Sequence, residues 1–86
     1  MATFYVQNDT DKSVYLQSKK NDQTIEVKAN SKDSTHLFTD EVYDKVSKKS
    51  EVSGETFLRP SGATYYKVVV RGSGSGSLQL NSEKIK

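Results

Sequence analysis

Hydrophobic and polar residues alternate along the first third of the chain. "TFYVQ" (residues 3–7), "SVYLQS" (13–18) and "QTIEVKA" (23–29) each carry the period of two that marks a half-buried strand, and "NDTDK" and "KKND" between them have turn compositions. Three successive strands of this kind predict a meander. Folding the first hairpin about Thr10 sets Val6 opposite Val14, Tyr5 opposite Tyr15 and Phe4 opposite Leu16. Folding the second about Lys20 and Asn21 sets Leu16 opposite Ile25 and Val14 opposite Val27. One face then reads Phe4, Val6, Val14, Leu16, Ile25 and Val27, and the other reads Tyr5, Tyr15 and Glu26. A slip of one residue in either hairpin sets apolar against polar side chains, so the pattern resists it.

The middle of the chain is less regular. "STHLFT" (34–39) reads as a strand, but its core face is either Leu37 with Thr35 or Phe38 with His36. "DEVYDKVSKK" (40–49) has Val42, Tyr43 and Val46 at helical spacing, with acids at its start and lysines at its end, as a helix dipole prefers. A short helix over residues 40–49 is therefore expected, with a loop or irregular strand as the alternative. "GETFLRP" reads as a strand closed by "RPSG", with Pro60 second and Gly62 fourth in a type I turn.

The chain returns as "TYYKVVVRG" and runs into three Gly-Ser repeats. Tyr66, Val68, Val70, Leu78 and Leu80 share one parity through the glycines, so a fold about Gly74 pairs Val70 with Leu78 and Val68 with Leu80. The Gly-Ser run is then a hairpin tip, with Ser73, Gly74 and Ser75 as its loop. Strands recur about every ten residues. This predicts one all-β domain over residues 1–86, a small antiparallel β-sandwich or barrel of six to eight short strands.

Composition supports strands: Val, Ile, Thr, Phe and Tyr number 26, against 9 for Ala, Leu and Met. No cysteine is present, which excludes disulfides, thiolate metal sites and a Cys nucleophile. With no basic-then-apolar leader at "MATFYVQNDT", that favours a cytoplasmic protein, a secreted mature domain being the alternative. No apolar run is long enough to span a membrane, so a soluble chain without a membrane span is expected. Charge is uneven. Residues 1–44 carry 5 lysines and 8 acids, net −3, and residues 45–86 carry 8 Lys or Arg and 3 acids, net +5.

Few residues carry recognisable chemistry. "RGSGSGS" lacks the following helix that a phosphate-binding loop requires. Asp9, Asp11 and Ser13 have the spacing that begins an EF-hand, but Val14 stands where glycine is needed and Lys20 where a bidentate Glu belongs; Asx turns are the better reading. Asn8, Asp9 and Thr10 form a glycosylation sequon. The single histidine, His36, has no nucleophile motif near it, so no enzyme activity, catalytic residue, metal or cofactor is expected.

Tyrosine is the richest feature, at five of eight aromatic residues. Tyr5, Tyr15 and Tyr65 fall opposite the core face, and with Glu26 and the Asn/Asp loops they make a surface suited to stacking on sugar rings or anchoring a protein. The expected function is a non-enzymatic binding module for a protein partner or glycan, with self-association into a homo-oligomer as a further expectation. The alternative is a nucleic-acid-binding module working through Lys45, Lys48 and Lys49 of the second half.

Overall fold

Among the described residues, segments rich in β-branched and aromatic side chains form eight strands: β1 (Thr3–Asn8), β2 (Val14–Ser18), β3 (Thr24–Val27), β4 (Ser31–Thr39), β5 (Tyr43–Ser47), β6 (Glu55–Thr56), β7 (Tyr65–Gly72) and β8 (Leu78–Lys84). The computed structural model describes residues 2–20, 23–49, 54–72 and 77–86, and of residues 33–36 the backbone alone. The strands make two four-stranded sheets, sheet A in the order β4-β1-β7-β8 and sheet B in the order β3-β2-β5-β6. They pack face to face as a small all-β sandwich, because each sheet has one apolar face to bury.

The expected helix over residues 40–49 does not form. Residues 40–42 make a turn, with the Val42 amide donating to the Thr39 carbonyl, and β5 follows. The spacing of Val42, Tyr43 and Val46 suits a turn leading into a strand as well as a helix. Antiparallel pairing with β2, Leu16 opposite Val46, buries Val46 in a way an isolated short helix could not match.

The second hairpin has the expected register, with Val14 opposite Val27, Tyr15 opposite Glu26 and Leu16 opposite Ile25. The first does not form. β1 pairs antiparallel with β4 and parallel with β7, while β2 lies in the other sheet between β3 and β5. All six residues assigned to the apolar face do enter the core or pack against it, but β1 and β2 meet across the sandwich instead of side by side. The sheet is consequently not purely antiparallel.

β7 and β8 form the antiparallel hairpin, shifted by two residues from the expected register. Val70 faces Leu80, Val68 faces Ser82 and Gly72 faces Leu78. A two-residue shift keeps every side chain on its face, so Val68, Val70, Leu78 and Leu80 still point to the core. The tip, residues 73–76 including Gly74, lies outside the described residues. The "RPSG" turn is also displaced by one: Pro60 is its first residue, its carbonyl accepting from the Ala63 amide at 3.1 Å, and Gly62 is its third, at φ 73°. Positive φ at that position is the type II requirement, which glycine meets without strain.

The core divides by side-chain type. Phe4 stacks on Tyr66 at 5.4 Å and meets Phe57 edge-on at 4.9 Å and Phe38 at 5.8 Å, filling one end. Val6, Val14, Leu16, Val27, Val46, Val68 and Val70 fill the rest. At the aliphatic end β1 finishes in Asn8, which is 0% exposed. Its two Nδ2 hydrogens reach the carbonyls of Lys12, Val27 and Lys28 at 2.9, 3.1 and 3.2 Å. Its Oδ1 accepts from the Thr10 amide at 3.0 Å and faces the Thr10 hydroxyl at 2.6 Å. The sequon asparagine is thus a buried brace between the β1–β2 connection and the end of β3, with its amide nitrogen closed off from solvent.

Asn8→Ala removes donors from buried carbonyls and should lower unfolding free energy by about 3 kcal/mol. Asn8→Asp, nearly the same shape, should cost at least as much at neutral pH, because it turns a carboxylate oxygen toward carbonyls that need a donor. Urea unfolding of the two variants checks both, and an Asp variant as stable as the parent would refute the assigned donor role.

Candidate functional site

Alternation places Tyr5 and Tyr65 on the outer face of sheet A, and Tyr15 and Glu26 on the outer face of sheet B. All three tyrosines lie opposite the core face as expected. They do not form one surface, because β1 and β2 belong to different sheets. Tyr15 is half-buried opposite Glu26, whose carboxylate accepts from the Ser13 hydroxyl at 2.7 Å. Tyr5 and Tyr65 meet at 6.0 Å with rings tilted by 46°, and Lys32 Nζ lies 5.3 Å from the Tyr5 ring centre. Under those neighbours Tyr5 is only 6% exposed, so it supports the face more than it presents itself.

Sheet A holds a pattern that single-strand periodicity misses. Three adjacent strands each carry an apolar doublet, Leu37-Phe38 on β4, Phe4-Tyr5 on β1 and Tyr65-Tyr66 on β7, and the pairings Phe4 with Phe38 and Phe4 with Tyr66 bring the doublets level. One member of each, Phe38, Phe4 or Tyr66, enters the aromatic end of the core. The other points outward: Leu37 at 54% exposure, then Tyr5, then Tyr65. Ile85, whose amide donates to the Tyr65 carbonyl at 2.9 Å, extends the row at 43% exposure. An apolar stripe therefore crosses β4, β1 and β7 and ends on Ile85, just past β8; it is bordered by Lys32 and by Lys67 and Glu83, paired at 3.8 Å. The doublets are visible in the sequence as breaks in alternation, but their alignment depends on strand pairing.

The lysines are dispersed. Lys19 and Lys20 follow β2 at one end of the sandwich, where the Lys19 amide donates to the Val42 carbonyl, and Lys48 and Lys49 follow β5 at the other. Lys45 lies between them on β5. Asp9 accepts from Gln7 Nε2 at 3.0 and 3.1 Å and lies 3.8 Å from Arg71 Nε. Phe38, and not Leu37, faces the core, and the His36 side chain lies outside the described residues. Among the described residues no group of three or more His, Asp or Glu side chains converges, and no helix is long and apolar enough to cross a membrane.

The strongest electrostatic cluster was not anticipated from the sequence. The Asp40 carboxylate, 9% exposed, accepts from Arg59 Nε at 2.6 Å, Arg59 Nη2 at 2.8 Å, the Tyr66 hydroxyl at 3.1 Å and the Ala2 amide at 3.2 Å. Burial pushes the Asp40 carboxyl up, but these hydrogen bonds and the Arg59 charge outweigh it and hold the group below its ordinary 3.8. Burial, with the Asp40 charge and hydrogen bond, pushes the Tyr66 phenol far above its ordinary 10.0. Both carboxylate oxygens are engaged by donors from other segments, so the cluster braces the start of β1, the β4–β5 turn, the β6–β7 connection and β7. Its partners are 19 to 38 residues apart in the chain, beyond the reach of any local motif. Comparison with models of protein families, curated proteins and solved structures finds no match to this chain.

The shifts fix the sign of the pH dependence. The folded chain keeps Asp40 ionised to lower pH than the unfolded chain, so this stabilisation is complete above about pH 4 and fades as pH falls below 3.8. Tyr66 contributes in full below pH 10.0, and its contribution fades above that as the unfolded phenol ionises and the folded one does not. Urea midpoints measured from pH 2 to 11 should fall at both extremes. Asp40→Asn should flatten the acid limb and Tyr66→Phe the alkaline limb, and limbs unchanged in these variants would assign the pH dependence elsewhere.

Proposed function

We propose that this chain is a non-enzymatic binding module that takes a protein partner on the outer face of sheet A. The observation that carries the reading is the alignment of three apolar doublets across β4, β1 and β7. Packing the sandwich needs only the inward member of each doublet, and the outward members extend into a stripe ending in Ile85. Leu37 and Ile85 are the most exposed of its members, and aliphatic side chains of that kind suit a protein surface better than the flat aromatic platform a sugar ring needs. Tyr65 supplies the aromatic anchor, with Tyr5 packed beside it and held under Lys32. A sheet face supported by paired strands is preformed, so binding requires little ordering of the backbone. A glycan ligand for the same face is the other outcome of the test.

Immobilised protein and glycan panels probed with the parent chain, Tyr65→Ala, Leu37→Ser and Tyr15→Ala separate these readings. The first two variants should weaken a protein hit about tenfold or more, as removal of an interface anchor does. Tyr15→Ala, altered on the opposite sheet, should leave it unchanged. Binding that survives both sheet A variants, or that Tyr15→Ala abolishes, would overturn the assignment of the face. Hits confined to glycans would change the partner class.

A further inference from the structure

A second site stands at the aliphatic end of the sandwich. A groove of about 370 Å³ lies there between the β1–β2 connection, the chain just after β5 and the base of the β7–β8 hairpin. Among the described residues, Lys12, Lys48 and Lys49 line it with one acid, Asp11, and Val14 and Leu78 are the apolar part of the lining. Three positive charges against one leave an excess of two among the described lining residues.

Both lysine-bearing walls are fixed from inside. Among the described residues, Asn8 and Ser47 are the two buried side chains that are neither apolar nor aromatic. Each is bonded to the carbonyl of a lysine in this groove: Asn8 Nδ2 to that of Lys12 at 2.9 Å, and Ser47 Oγ to that of Lys49 at 2.8 Å. Burying a polar group is unfavourable unless it is bonded, and here both are bonded to backbone that carries the charged lining. The third side is kept open by Gly72. Its φ is not in the left-handed region, so the backbone does not demand glycine, and among the described residues a Cβ there would meet only Thr10 Cγ2, at 3.9 Å.

We propose that this groove binds an anionic sugar, a mono- or disaccharide bearing sulfate or phosphate. The ammonium groups supply donors for the anionic substituent, and Val14 with Leu78 offers a surface for the carbon skeleton that an inorganic ion would leave empty. The volume is within the range of small-ligand sites. None of the described lining residues is aromatic, so none of them offers a nucleobase a ring to stack on.

The test is a titration followed by amide chemical shifts, with glucose 6-phosphate, a sulfated heparin disaccharide, glucose, inorganic phosphate and AMP as probes. The charged sugars should shift Lys12, Val14, Lys48, Lys49, Gly72 and Leu78, and should bind about tenfold or more tightly than glucose or phosphate. The tighter of the two identifies the source as a sugar phosphate or a sulfated glycan. Lys48→Gln/Lys49→Gln should weaken binding about tenfold. Gly72→Val, which fills the groove without changing charge, should do the same, and Lys19→Gln/Lys20→Gln at the far end should not. The spectrum of each variant reports whether it is folded. Phosphate alone binding equally well, AMP binding more tightly, shifts centred elsewhere, or full binding by a folded Gly72→Val variant would each overturn the proposal.

Discussion

The sandwich depends on a short crossing. β1 ends at Asn8 in sheet A, and after five connecting residues the chain begins β2 at Val14 in sheet B. Chain crossings between the two layers leave carbonyls directed at the end of the core. Three of these, from Lys12 in this turn and from Val27 and Lys28 at the end of β3, are met by one side-chain amide. Each would cost about 1–3 kcal/mol if buried without a donor, a large share of the 5–15 kcal/mol that holds a domain together. The same amide fixes how the sheets are stacked, since it joins the end of β1 to the end of β3. The opposite end has its own clamp, where Asp40 collects an arginine, a core tyrosine and a backbone amide.

The uneven charge of the two halves of the chain acquires a meaning in the fold. The acid-rich half and the basic half are interleaved, and Asp40 with Arg59 and Asp9 with Arg71 are pairs across that division. Much of the asymmetry is cancelled by proximity. Among the described residues, what persists locally is a lysine excess at the aliphatic end, where Lys12 from one half joins Lys48 and Lys49 from the other. Exposed charges within a Debye length, about 10 Å at moderate salt, act together whatever their distance along the chain.

Side-chain parity was legible in β1, β2, β3, β7 and β8, but not in β4, where two faces fitted equally, nor in β5, which read as a helix; strand partnership was legible only for β2 with β3 and for β7 with β8. Val14, Leu16 and Val27 alternate cleanly around a short turn, so β2 and β3 pair in the expected register. Phe4 and Val6 alternate just as well, yet β1 chooses β4 and β7, because alternation states which way a side chain points and not which strand lies beside it. The β7–β8 hairpin shows the same limit, since a shift of two residues leaves every face intact. Of the candidate site, the outward orientation of Tyr5, Tyr15 and Tyr65 was readable. Their division between two sheets, and the arrival of Leu37 and Ile85 beside Tyr65, required the pairing of strands far apart in sequence.

The parallel pairing of β1 with β7 sets an order of events. Sheet B draws all its strands from the middle of the chain, between Val14 and Thr56, and can assemble from neighbours. Sheet A is different: β1 is an inner strand whose second neighbour begins only at Tyr65. Closing so large a loop is entropically slow, and a chain emerging from the ribosome holds one edge of β1 bare until its last third is made. The strand that opens the sequence is therefore among the last to be fully enclosed, and in that interval Phe4 and Val6 depend on β4 and sheet B for cover.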